Sequence, residues 1–315
     1  MQPNLSVKAQ LLQMLRNAGS EGVSGELAGA ELKLSRVSVW RHINKLQEMG
    51  YGIRSTPVGY VLENSPDKLY PWEFPAFEEL LHHYDALDST MQAARKLARE
   101  GCPQLTAVIA EEQTKGRGRL ARNWQATPGG IYMTVVLRPQ LPALLACKAV
   151  FLVSLSLAEL LNEKYGIKAQ TKWPNDVLIG ERKLAGILSE MEVEDDMVSF
   201  VNVGIGLNFA NDISHVDKPA VRLADCFAAP VTRKEFLTAF LQKLAQESAD
   251  TDWDAVIPRW KAYTMSLNRR VKVVAGAQER EGFALDIDAN GALLLQQDDG
   301  GVESVFYGDC FFMQS

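Results

Sequence analysis

The sequence predicts an α+β fold in three successive parts, on three observations. Residues 1–62 pair helical periodicity with a positive balance, seven Lys and Arg against four Asp and Glu, while the rest of the 315-residue chain carries 26 against 35. The middle sets strand-like runs and helical runs apart as blocks, which favours α+β. From about residue 266, short strand-like segments follow one another between glycine turns, the pattern of a small barrel. The expected boundaries are 1–64 for a head, 76–265 for a body and 266–315 for a tail. Pro66, Pro71 and Pro75 mark 63–75 as a linker or a short connecting helix.

In the head, "SVKAQLLQMLRNAG" places Val7, Leu11, Leu12, Met14 and Leu15 at helical spacing and closes at Gly19. "SGELAGAEL" is a short helix from Glu26 to Leu32 with Ser24 as its N-cap. "SRVSVWRHINKLQEMG" starts a longer helix at Ser35 that ends at Gly50, with Val39, Ile43, Leu46 and Met49 on one face. "YGIRSTPVGYVL" is two short strands around Thr56-Pro57. This order is a winged helix-turn-helix. Its second helix offers Ser35, Arg36, Ser38, Trp40, Arg41, Asn44 and Lys45 to a DNA groove. A helical protein-binding module with solvated charges is the competing reading.

In the body, "TAVIAEEQ" and "GGIYMTVVLRP" are strands, rich in Val and Ile with Thr or Tyr. Residues 142–165 form an apolar helix, in which Lys148 and Glu159 favour a buried helix over a membrane span. "RKLAGILSEMEV" and "MVSFVNVGIGLNFA" are adjacent strands, and "TRKEFLTAFLQKLAQESA" is an amphipathic helix. In the tail, "RRVKVV", "EGFALDID", "GALLLQQ" and "VESVFYG" are broken at Asn290-Gly291 and Gly300-Gly301.

Composition removes several classes. Cys102, Cys147, Cys226 and Cys310 form no CxxC pair, and His42, His82, His83 and His215 have no metal-ligand spacing. No zinc or redox site is expected, and the compartment is expected to be the reducing cytoplasm. "MQPNLSVKAQ" lacks the apolar stretch of a signal peptide, so neither export nor a membrane is expected.

Chemistry concentrates in "QTKGRGRLARNW" (113–124), which places Lys115, Arg117, Arg119 and Arg122 around Gly116 and Gly118. Glycine permits close backbone approach to a ligand, and arginine offers a planar fork for phosphate or carboxylate oxygens. The spacing matches neither GxxxxGK[ST] nor GxGxxG. Taken alone, the loop is a mobile anion clamp, a solvated surface loop or a nucleic-acid tract. In "VNVGIGLN", alternation puts Val201, Val203, Ile205 and Leu207 on one face and Asn202, Gly204, Gly206 and Asn208 on the other. That second face is bare at its middle, which leaves room for a ligand or for a closely packed helix. A regular strand at "RKLAGIL" puts Lys183, Ala185 and Ile187 on one face, where a cation needs an anion.

Five segments in order, "DSTMQAA" (88–94), "EEQTKGRGRLARNW" (111–124), "KWPNDVL" (172–178), "RKLAGIL" (182–188) and "GIGLN" (204–208), resemble the motifs of biotin protein ligases. With the winged head, the chain resembles the bifunctional form, ligase plus biotin operon repressor. The resemblance implies a central mixed-sheet ligase domain and a C-terminal SH3-like β-barrel. It also implies activation of biotin by ATP to biotinyl-5′-AMP, then transfer to a lysine of the biotin carboxyl carrier protein of acetyl-CoA carboxylase.

The resemblance carries over residue by residue. Arg119 and Lys183 are the implied catalytic cations. Ser89, Thr90, Met91, Gln113, Gly116, Arg117, Gly118, Arg119, Lys183, Gly186, Gly204 and Gly206 are the implied biotin contacts. Arg117, Arg119, Arg122, Lys172, Asn175, Asp176 and Asn208 are implied for ATP, with Asp176 toward Mg²⁺. Capping competes at Ser89 and Thr90, and turn formation competes at Pro174-Asn175-Asp176. Met91 stands where the family commonly has Asn, so only a backbone contact carries over. Leu120, Ala121 and Asn123 replace more basic or flexible residues. Residues 209–225 hold no Trp to stack on adenine, with Val221 and Arg222 at the corresponding place. A flap partly disordered without ligand is implied, and so is a homodimer formed on adenylate binding that holds operator DNA. A sensor without ligase activity and a lipoate ligase are the alternatives.

Overall fold

The computed structural model describes residues 5–214 and 219–313, so His215 lies outside the described residues. The chain divides after Leu81 into two compact units.

The first unit contains helices α1 (Val7–Ala18), α2 (Gly25–Leu32) and α3 (Arg36–Glu48) and a hairpin of β1 (Gly52–Thr56) and β2 (Gly59–Asn64). Each helix opens on a serine whose hydroxyl accepts a backbone N–H: Ser6 from Ala9, Ser24 from Leu27, Ser35 from Ser38. Each such cap contributes about 1 kcal/mol. Leu11, Leu12, Leu15, Val39, Ile43 and Leu46 close the core.

Of the two readings of 63–75, the structure has the short connecting helix, a 3-10 turn at Pro71–Glu73, and packs the segment into the first unit. Leu69, Tyr70 and Phe74 are buried, and Tyr70 stacks on Trp72 at 4.7 Å. Trp72 Nε1 donates to Tyr51 Oη at 2.9 Å, and Tyr51 donates to Glu73 at 2.5 Å. The prolines set turns here, but Tyr70 and Trp72 need burial and find it against the core of the head.

The second unit is built on a seven-stranded sheet, order β3-β4-β5-β9-β8-β7-β6. Its strands are β3 (Leu81–Leu87), β4 (Ala107–Gln113), β5 (Ile131–Leu137), β6 (Ala169–Lys172), β7 (Asp176–Ile179), β8 (Arg182–Glu194) and β9 (Met197–Leu207). The bond pattern is antiparallel from β4 through β5, β9, β8 and β7 to β6. Parallel bridges Lys183↔Ala220 and Thr171↔Thr264 add mixed character at its margin. Helix α4 (Thr90–Arg99) packs over β4, β5 and β9. Helix α5 (Lys148–Tyr165) packs on β6 to β9 and against α6 (Arg233–Ala249) and α7 (Trp253–Lys261).

The segment Ala143–Tyr165 is apolar and long enough to cross a membrane, but most of it is buried within the unit. Its polar groups are matched there: Lys148 pairs with Asp254 at 2.9 Å, and Glu159 with Arg259 and Lys243, each at 2.8 Å.

The tail forms a five-stranded antiparallel sheet, order β13-β12-β11-β10-β14, from β10 (Arg269–Ala275), β11 (Gln278–Ile287), β12 (Leu293–Gln296), β13 (Val302–Val305) and β14 (Asp309–Phe312). No β13–β14 pairing closes it among the described residues. Geometry nonetheless curls it. Residues 306–308 bridge at most about 13 Å, whereas the edges of a flat five-stranded sheet lie about 19 Å apart.

Candidate active site

One cavity of about 690 Å³ in the second unit gathers most of the expected residues. Ser89, Thr90, Met91, Gln113, Arg117, Gly118, Arg119, Arg122, Lys172, Asn175, Asp176, Lys183, Gly186, Gly204, Gly206 and Asn208 all line it. Gly116 stands behind the lining. A side chain there would meet the carbonyl of Trp124 at 2.4 Å, so the loop can pinch only at glycine.

The floor is β8 and β9, with Gly186 opposite Gly206. An added Cβ at Gly206 would strike the Trp124 indole at 2.4 Å, and one at Gly186 would meet it at 3.0 Å. At Gly204 the neighbour is instead the Met91 methyl from α4, at 2.9 Å. Helix packing therefore explains Gly204, whereas the arginine loop itself lies over the other two.

At the polar end, Gln113 Oε1 accepts from Thr90 N at 2.9 Å and Thr90 Oγ1 at 3.2 Å, and Thr90 Oγ1 also meets Thr134 Oγ1 at 2.9 Å. Gln113 thus caps α4. Ser89 is the N-cap residue by position, yet its side chain makes no capping bond. Capping does not consume that hydroxyl.

Lys183 reaches the cavity by a route the strand pattern hides. The β7–β8 register shifts between Val177 and Leu178, pairing them with Ala185 and Lys183, so Leu184 is a bulged residue. Leu184, Ala185 and Ile187 are buried, while Lys183 is only half-buried beside Gly186. Regular alternation would have sent the ammonium into the core with Ala185 and Ile187. The bulge turns it to the ligand side, where Nζ lies 2.6 Å from Asp176 Oδ1 and 5.4 Å from the Trp124 ring centroid.

Trp173, Pro174 and Asn175 form the turn between β6 and β7, and the Trp173–Pro174 peptide is cis. Turn chemistry and cavity lining therefore coincide. Asn175 Nδ2 donates to the Ile187 carbonyl at 2.6 Å, and its Oδ1 accepts from Arg119 Nη1 at 3.3 Å. Burial pulls the Arg119 pKa down, while Asp309 and Asp176 support its charge. Lys172 lies 4.5 Å from the Phe312 ring centroid. Asn208 is buried and donates to the Lys183 carbonyl at 3.4 Å. Cys310 lines the same cavity, but burial pushes its thiol up to about 11, so it stays neutral.

The loop itself is a folded hairpin. Gly118 N donates to the Arg122 carbonyl at 2.8 Å, and Trp124 N to the Gly116 carbonyl at 3.0 Å. Lys115 is turned outward onto Asp88 at 2.8 Å, which holds that carboxyl below its ordinary pKa. The 209–225 stretch departs from expectation. Val221 is core, and Arg222 is spent on Asp225 at 2.8 and 3.0 Å, because a nearby carboxylate holds the fork. Pro219 and Ala220 form that wall of the cavity instead.

Of the lining residues that sequence reasoning does not single out, Trp124 and Asp309 bear most on the loop. Trp124 ends the motif, where it reads only as part of the loop. Asp309 lies far along the chain and gives no local signal. Among the described residues, no cluster of three or more His, Cys, Asp or Glu is placed to hold a metal.

On the head, Arg36, Trp40, Arg41 and Lys45 are exposed on α3, with Asn44 and Ser38 half-buried. Ser35 Oγ is engaged with Ser38 N at 3.1 Å and Ser38 Oγ at 2.9 Å, so Ser35 is first a cap. Val37, 59% exposed, shares this surface, where the sequence pattern did not place it.

Comparison with known proteins agrees with each part. An HTH domain matches residues 7–61, the biotin/lipoate A/B protein ligase family 84–208, and the biotin protein ligase C-terminal domain 266–313. The bifunctional ligase/repressor BirA of Bacillus subtilis (strain 168) is 30% identical over 96% of this chain and 98% of its own. That of Escherichia coli (strain K12) is 30% identical over 93% of each. The biotin protein ligase of Aquifex aeolicus in complex with biotin and ATP superposes with a TM-score of 0.61 at 27% identity, covering 75% of this chain and 99% of that one. On near-full-length similarity and three matching domains in order, the chain belongs to the biotin protein ligase family.

Proposed function

We propose that the cavity condenses biotin with ATP and that the product is passed to a lysine of a biotin carboxyl carrier protein. In the first step a carboxylate oxygen of biotin bonds to the α-phosphorus and pyrophosphate leaves. In the second, the lysine nitrogen attacks the acyl carbon, AMP leaves, and the nitrogen gives up its proton. Two anions must meet in the first step, so fixed cations offset their repulsion and the charge of the transition state. Lys183 and Arg119 hold that position, with Arg117, Arg122 and Lys172 toward the phosphates. Ser89, Thr90 and Gln113 supply donors and acceptors for the ureido ring, and Gly186 and Gly206, with the Trp124 indole packed over them, form the floor beside which the acyl chain lies.

One carboxylate, Asp176, beside the Asn175 amide fits an ion held chiefly by nucleotide phosphates. Mg²⁺ there would neutralise phosphate charge. The observation that carries this reading is the cationic ring of Lys183 and Arg119 over a glycine floor.

A biotin-dependent ATP–pyrophosphate exchange assay tests the first step, and a mass increase on a carrier-domain lysine tests the second. Lipoate in place of biotin should give neither. The head binds operator DNA, and adenylate bound beneath the loop favours a homodimer that presents two heads to a palindrome. A gel shift with and without biotin plus ATP tests this, and equal binding in both conditions rejects the coupling. Both activities belong to the cytoplasm, where carrier protein, ATP and operator meet.

A further inference from the structure

The end of the β13–β14 turn and the first residue of β14 grip the arginine loop at two points. Arg122 forms an ion pair with Asp309, and Arg119 Nη1 donates to the Gly308 carbonyl at 3.2 Å, across 189 positions of chain. The same Arg119 nitrogen reaches Asn175 Oδ1 at 3.3 Å. The Asp309 side chain is 15% exposed against 51% for Arg122, so the carboxylate is the anchored partner and the arginine the one held. An exposed ion pair alone would contribute little. Here a largely buried carboxylate and a backbone carbonyl act on neighbouring arginines of one hairpin, and both interactions must break for the loop to lift.

We infer that Asp309, assisted by the Gly308 carbonyl, is a positioning residue for adenylation. It holds the loop down so that Arg119 stays beside Asn175 at the reacting end of the cavity. Asp309 acts through the arginines and need not touch substrate. A guanidinium has five donors, so one carboxylate leaves Arg122 able to meet a phosphate. The tail thereby takes part in a step whose reacting groups all lie on the central sheet and its loop. This role rests on the ligase reading above, but the latch itself does not.

The test uses the full chain, with Asp309→Asn as the isosteric variant. Without ligand, amide hydrogen exchange across residues 114–126 should rise about tenfold while exchange in β5 and β9 stays unchanged. With biotin and ATP, adenylate should dissociate about tenfold faster and the KM for ATP should rise. The exchanged pair Arg122→Asp with Asp309→Arg should recover loop protection, though not activity. Unchanged loop exchange in Asp309→Asn overturns the latch, and so does a rise spread over the whole sheet. Failure of the exchanged pair to restore protection does the same. Loop exchange that responds as expected while adenylate kinetics stay at the native value would keep the latch and overturn its role in catalysis.

Discussion

The head and the cavity carry cations in opposite states. On α3, Arg36, Arg41 and Lys45 are exposed and make no ion pair among the described residues. In the cavity, Lys183 already lies on Asp176, Arg122 on Asp309, and Arg119 between Asn175 and Gly308. Exposed cations project a field screened over about 10 Å at ordinary salt, which suits many weak contacts with a phosphate backbone. Held cations have their orientation settled before any substrate arrives, which is what stabilising charge in a transition state requires. The same residue types thus serve affinity in one region and rate in the other, and substitutions should separate the two.

The largest expected effect is at Lys183. Replacing it with alanine should lower biotin-dependent pyrophosphate exchange about a thousandfold, the cost of losing one preorganised charge at a reacting centre. Binding of DNA at low salt should not change. An unaltered exchange rate would move the chemistry away from β8.

Next comes Gly206→Ala, whose new methyl meets the Trp124 indole. Overpacking of this kind costs about 1–3 kcal/mol, so biotin affinity measured by calorimetry should fall tenfold or more. Native affinity would show that the indole yields freely. A smaller effect is expected on the head. Replacing Arg36 and Arg41 with alanine should reduce the slope of log K for DNA against log salt by roughly 0.9 for each phosphate left without its cation, with pyrophosphate exchange intact. A uniform loss of affinity at unchanged slope would mean that these side chains do not meet phosphate.

What the sequence disclosed follows the same division. Ser24, Ser35 and Gly19 mark helix ends because caps are local chemistry, and β9 shows its bare face because alternation is local too. The path of Lys183 is hidden. One bulged residue, Leu184, reverses the face of everything before it, and nothing in "RKLAGIL" announces the shift. The partner of Arg122 is hidden because only the folded tail brings Asp309 to it. The 63–75 segment misleads because its prolines signal breaks, while the core role of Tyr70 and Trp72 depends on helices distant in sequence.

The smallest effect would sharpen the contrast through pH. His42 is half-buried on α3, and its pKa is held below the ordinary 6.5 by burial first and then by Lys8 and Lys45. A histidine whose folded pKa is depressed favours the neutral ring in the folded head. The stability it supports is whole above about pH 6.5 and is lost as pH falls through that value toward the folded pKa. The head should therefore melt at a lower temperature at about pH 5.5 than at about pH 7.5, and His42→Gln should shrink that difference. Protonation also adds positive charge beside Arg41 and Lys45, so DNA binding should tighten across the same window while the fold weakens. If His42→Gln leaves the pH dependence of both melting and DNA binding as in the native chain, the ring is not the titrating group, and the head's cations act without it.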